Sequence, residues 1–155
     1  MACQRADAAR LTAKPYLKGE STEGSVMSGP IVFVSHFEVK EGALEGLRQL
    51  IGELVPRLEA DKPGTVGYLI YLDSNGMQAT FVHVFEGAAS MDRHFQGAQE
   101  RSARAYEFMR PIGWEIYGAA SAPALDGMRR EAAAAGVPLS VMDQYGGGFL
   151  RSGGT

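Results

Sequence analysis

The sequence is short of most residues on which catalytic and binding chemistry is commonly built. Its one cysteine, Cys3, excludes an internal disulfide and any cysteine-based zinc site within a single chain. Histidine occurs only at His36, His83 and His94, with no His-x-His or His-Glu-x-x-His spacing, so no metal is expected. Lys and Arg total 15 against 18 Asp and Glu, a net charge of −3 with no basic block. Nucleic-acid backbones need clustered cations, so a nucleic-acid partner is not expected. No apolar run approaches the length of a bilayer span, and the first thirty residues lack the apolar core of a signal peptide. The expectation is a cytoplasmic protein without a membrane partner.

What remains is an ordinary globular composition, 45% hydrophobic and 21% charged over 155 residues, enough for one domain with a sizeable core. Residues 1–29 show no sustained period and are rich in Gly, Ser, Thr and charge, which reads as a flexible extension. The domain is expected over 30–120 and a further extension over 121–155.

Within the domain the hydrophobic period alternates between strand and helix. Ile31 to Lys40 is apolar and β-branched, a strand. Leu44, Leu47, Ile51, Leu54 and Leu58 then recur at three and four, a helical stripe that "DKPG" at 61–64 ends. "TVGYLIYLD" and "QATFVHVFE" read as two strands joined through "SNG". Ser90 is placed as the N-cap of a second helix with Met91, Phe95, Ala98, Ser102, Ala105 and Met109 along one side, closed by Pro111. "IGWEIYGAA" makes a fourth strand.

This order, βαββαβ, is the α+β ferredoxin-like layout, a four-stranded antiparallel sheet with both helices on one face. The strands are apolar on both faces: Val32 and Val34 alternate with Phe33 and Phe37, and Val82 and Val84 with Phe81 and Phe85. An apolar face is not left in water, so a homodimer through the sheet face is expected. In the tail, Ser121 caps a third helix with Pro123 in its first turn and Leu125, Met128, Ala132 and Ala135 along one side. "PLSVMDQY" is a short fifth strand, at a sheet edge or reaching to a partner subunit. "GGGF" at 146–149 lacks the strand-then-helix context of a phosphate loop.

"FVSHFEVKEGALEGLRQLIGEL" and "TFVHVFEGAASMDRHFQGA" resemble the two strand-to-helix segments of the antibiotic-biosynthesis-monooxygenase-like family. Ser90, Met91 and His94 stand where that family carries the Ala, Leu and His of "AL-x-x-H". The resemblance covers about 31–119 and omits the tail from Ser121. It implies a dimeric α/β barrel whose cavity, between sheet and helices, takes a small aromatic molecule. It also implies a monooxygenase acting on a quinol-type substrate with molecular oxygen and no cofactor. Some members have no demonstrated catalysis, and relatives cleave haem, so a non-catalytic or stress-related binding protein and a haem-handling protein are the alternatives.

Positions such as His36 and Phe85 face the cavity in the family, and His83 shares the parity of Phe85. His83 stands where the family often has Glu. His83 and His36 are therefore the expected catalytic pair, as a base for a phenolic proton or as hydrogen bonds to an anionic substrate. Equally, both are consistent with hydrogen-bonded core or interface histidines. Phe81, Phe85, Tyr68, His94 and Trp114 are the expected substrate contacts. His94 also reads as a structural anchor of its helix, and Trp114 as core beside Ile112 and Ile116.

Overall fold

The computed structural model describes residues 28–151, so the flexible segment expected at 1–29 lies outside the described residues up to residue 27. Five strands and four helices follow in the order β1 (Ile31–Val39), α1 (Leu44–Asp61), β2 (Thr65–Leu72), β3 (Gln78–Phe85), α2 (Ala88–Phe95), α3 (Ala98–Ala105), β4 (Met109–Tyr117), α4 (Ala122–Ala135) and β5 (Leu139–Met142). The strands form one sheet in the order β2-β3-β1-β4-β5. β1 to β4 pair antiparallel as the βαββαβ order requires, whereas β5 pairs parallel with β4 through Trp114↔Leu139 and Ile116↔Val141. The sheet is thus five-stranded and mixed, which corrects the four-stranded antiparallel expectation and puts the fifth strand at the edge of its own sheet.

Four local expectations also change. The second helix is two helices, because Gly97 adopts a left-handed φ of 76° between α2 and α3. Ser90 lies inside α2, buried, and Gly87 takes the N-terminal position. Pro111 sits within β4 rather than ending a helix: the register of β4 on β1 shifts between His36 and Phe37, where a residue without an amide proton is tolerated. The same shift turns Ile112 out to 39% exposure, away from the buried Trp114 and Ile116.

Other signals act as the residues dictate. Asp73 Oδ1 accepts from the amides of Met77 (2.8 Å) and Gln78 (3.0 Å), closing the β2–β3 hairpin around Gly76 at φ 67°. Ser121 Oγ accepts from Ala124 N (3.2 Å) at the start of α4, and Gly136 ends it in the left-handed region. Leu47, Leu50, Leu54 and Leu58 are the buried stripe of α1, with Ile51 half-buried at its margin. Burial of each such leucine contributes about 1.5–3 kcal/mol.

All four helices cover one face of the sheet, in two core clusters. Ile31, Phe33, Phe85, Trp114 and Ile116 pack with Met91 of α2 and with Ala124, Met128 and Ala132 of α4. Phe37, Val39, Ala79, Phe81 and Met109 pack with Leu47, Leu50 and Leu54 of α1 and Ala105 of α3. Among the described residues no helix lies on the opposite face. There Val32, Val34, Val82 and Val84 are half-buried, and Leu69 and Tyr71 are exposed. Among the described residues no helix is long and apolar enough to cross a membrane.

Candidate functional site

The two core clusters do not meet completely. Between them, over the middle of the sheet, lies a cavity of about 430 Å³, within the range that holds drug-sized ligands. Its floor comes from β1, β2, β3 and β4, and its sides from α1, α2, α3 and α4. Phe33, Phe37, Phe81, Phe95 and Trp114 make the lining largely aromatic. The polar lining residues are Ser35, Tyr68, His83 and His94, with Gln99, Arg101 and Ser102 from α3, Tyr106 just after it, and Arg130 and Glu131 from α4.

His83 is the residue most closely defined. Strand alternation puts it on the helix-bearing face opposite Phe33, where it is only 7% exposed. Its Nδ1–H donates to the Phe33 carbonyl oxygen at 3.2 Å. A carbonyl only accepts, so this bond fixes the proton on Nδ1 of the neutral ring and leaves Nε2 a free acceptor. Among the described residues no fully buried side-chain nitrogen or oxygen lacks a partner. Nε2 has no partner among the described residues, and it borders the open space of the cavity.

His94, 4% exposed, bonds through Nδ1 to Thr65 Oγ1 at 2.9 Å, which ties α2 to β2. Its ring meets that of His83 edge-on at 5.0 Å, and Tyr68 lies 4.8 Å from His83 and 6.2 Å from His94. Burial lowers the pKa of His83 to about 4, reinforced by the positive charge of Arg101 and opposed by the bond to Phe33. Burial lowers His94 further, to about 3, with the repulsion of His83, Arg101 and Lys62 added. Burial also raises the Tyr68 hydroxyl to about 12, so at neutral pH it keeps its proton. The polar centre of the cavity is therefore two neutral imidazoles and a phenol. Arg101 stands beside it, held by Gln96 O at 3.1 Å and by His94 O.

The expected residues divide accordingly. His83, His94, Tyr68, Phe81 and Trp114 come together on the cavity. Phe85 does not reach it: it is fully buried beneath, with its ring stacked on His83 at 6.0 Å. His36 lies on the helix-free face, so the expected companionship of His36 and His83 in one cavity is corrected. Successive side chains of a strand point to opposite faces, and Ser35, not His36, shares the face of Phe33 and His83. His36 Nε2 bonds to Glu115 Oε2 (2.9 Å) and Nδ1 to Thr80 Oγ1 (3.2 Å), a separate polar cluster amid the valines.

Ser35, Arg101 and the α4 residues of the cavity were not singled out by sequence reasoning. Ser35 had a usable signal, a lone polar residue in the Phe33–Phe37 alternation. Arg101 depends on the helix break at Gly97, and the α4 wall on where the tail docks. Among the described residues no three His, Cys, Asp or Glu side chains converge as metal ligands.

No protein-family model and no curated protein matches the sequence. Solved structures match the fold. MupZ from Pseudomonas fluorescens is 19% identical over 79% of this chain and 95% of its own, with a TM-score of 0.61. A putative antibiotic biosynthesis monooxygenase from Caulobacter crescentus CB15 is 15% identical over 57% of this chain and 88% of its own, at 0.52. SnoaB from Streptomyces nogalater, a cofactor-independent oxygenase, is 14% identical over 61% of this chain and 96% of its own, at 0.50. The chain has the fold of the antibiotic-biosynthesis-monooxygenase-like proteins.

Proposed function

We propose that the cavity binds a small phenolic or quinol-type aromatic molecule and oxidises it with molecular oxygen, as a cofactor-independent monooxygenase. The observation that carries this reading is the free Nε2 of a buried, neutral, tautomer-fixed His83 facing an aromatic-lined cavity. The oxygenase neighbour of the same fold is consistent with it. A phenol entering ring-first between the aromatic walls presents its O–H to Nε2. Transfer to Nε2 proceeds against the developing phenolate, whose negative charge compensates the imidazolium. The Tyr68 hydroxyl, which keeps its proton, donates to the same anion.

The electron-rich ring carbon para to the oxygen then reduces O₂ and forms a C–O bond, giving a hydroperoxide. Loss of water from it, with departure of the ring C–H proton, leaves a para-quinone. Phenol plus O₂ gives quinone plus water, so the substrate supplies all the electrons and no external reductant is consumed. Oxygen uptake with 1-naphthol and a panel of phenols that carry hydrogen at the para carbon tests the proposal. The wild-type protein should exceed the blank and His83→Ala should not; a wild-type rate equal to the blank refutes catalysis.

One observation favours a second reading, a dimeric protein that binds such a molecule without turning it over. Burial makes His83 a weak base, better suited to accepting a hydrogen bond than a proton. Retention of a phenolic ligand in native mass spectra with no oxygen uptake would select this reading. In both, we propose that the sheet face opposite the helices pairs with that of a second copy, because Val32, Val34, Val82, Val84, Leu69 and Tyr71 form an apolar surface that none of the described helices covers. His36, Thr80 and Glu115 lie on that face and have no part in the chemistry of the cavity.

A further inference from the structure

The extension beyond the βαββαβ core does more than lengthen the sheet. Pro123, Ala124, Gly127 and Met128 of α4 line the cavity, with Arg130 and Glu131 one turn further on, as do Ala98 and Ser102 of α3. The helix is fixed at both ends and along its length. Ser121 Oγ donates to Asp92 Oδ1 of α2 at 2.7 Å, Ala124, Met128 and Ala132 are buried in the core, and β5 after it is hydrogen-bonded to β4. This makes α4 a rigid wall.

Gly127 is the gap in it. Glycine is a poor helix former, and here nothing structural calls for it: its φ is not positive, and a Cβ built on it meets nothing within 4 Å. A Cβ at 127 would meet open space, and Gly127 is itself a residue that lines the cavity. The buried polar groups His83 and His94, each more than nine-tenths buried with Nε2 unpartnered, make that space a place for a ligand rather than a packing void. We propose that α4 is the size-selecting wall of the cavity and that Gly127 is its specificity-determining residue, leaving room for the part of an occupant beyond its first ring. This rests on the cavity being the binding site but not on its being catalytic.

Trp114, the only tryptophan of the chain, lines the cavity and supplies the readout. N-phenyl-1-naphthylamine, a neutral two-unit aromatic probe, should show saturable emission sensitised by Trp114 in the wild-type protein. Gly127→Leu should weaken it by at least about tenfold, as steric exclusion from an apolar pocket does. The change in Trp114 emission on titration with phenol should be retained. Melting temperature should not fall, since the substitution replaces a poor helix former. Gly127→Ala, which adds one methyl group, should fold even if the leucine variant does not, and should give a smaller loss in the same direction. Leu69→Lys, on the helix-free face, should leave probe affinity unchanged. Folded Gly127 variants with wild-type probe affinity overturn the proposal, as does a wild-type protein that binds no probe or one whose probe binding is lost with Leu69→Lys. Probe binding governed by Gly127 without oxygen uptake leaves this inference standing and removes only the catalytic reading.

Discussion

Acidification should unfold this protein earlier than its surface carboxylates alone would dictate, because two histidines are buried uncharged. In the unfolded chain each takes up its proton near the ordinary value of about 6.5. In the fold, His83 does so only near 4 and His94 only near 3. Between those values the unfolded state binds more protons, so stability is complete above about pH 6.5 and falls as pH drops toward 4. At pH 4.5 the loss attributable to His83 alone is roughly 2.5 kcal/mol, from about 1.4 kcal/mol per pH unit. His94 contributes a loss of similar size, a large fraction of the 5–15 kcal/mol typical of a domain. Urea unfolding followed by Trp114 emission at a series of pH values between 7 and 4.5 measures this directly. His83→Asn is the control, since an asparagine amide can still donate to the Phe33 carbonyl but does not titrate. Its stability should depend on pH by about one proton less than wild type. A wild-type stability that is flat from pH 7 to 5, or a variant with the wild-type slope, refutes the buried neutral pair.

Other outcomes follow from the same geometry. With 1-naphthol, kcat/KM should stay level from pH 7 down to about 5, because His83 remains neutral there; a fall centred near 6.5 would mean an ordinary exposed histidine. His36→Ala should leave oxygen uptake unchanged while His83→Ala removes it, and the reverse order would move the site to the helix-free face. Val34→Lys should shift a dimer to monomers in sedimentation velocity, by placing an unpaired charge in the proposed interface; a wild-type monomer would remove the dimer reading. Phe85→Ala should destabilise the fold by about 3–5 kcal/mol in urea, as loss of a fully buried aromatic ring does, and a loss below about 1 kcal/mol would contradict its place in the core.

The alternation of periods made the core legible from sequence. Leu47, Leu54 and Leu58 repeat as a helix must, and Ile31–Val39 and Gln78–Phe85 read as strands. The parity of the strands was less legible for the reason that predicted the dimer. With Val32 and Val34 on one face and Phe33 and Phe37 on the other, hydrophobicity does not say which face the helices cover; only the family resemblance points His36 to the cavity, and the register puts it on the other face. His83 was placed correctly because Phe81 and Phe85 flank it on the covered face. The stripe from Met91 through Ala98 to Met109 reads as one helix, whereas the left-handed backbone at Gly97 divides it and puts Arg101 on the cavity. Pro111 read as a helix terminator because the irregular pairing that admits it into β4 depends on β1, far away in sequence. The role of α4 followed from long-range docking, which a local period does not encode.

The most direct test is a crystal structure of the protein with 1-naphthol. The account predicts the naphthol ring between Phe33, Phe81 and Trp114, its hydroxyl within hydrogen-bonding distance of His83 Nε2 and its second ring toward Gly127. A naphthol bound on the helix-free face, or a cavity filled by repacked side chains at saturating naphthol, would contradict it.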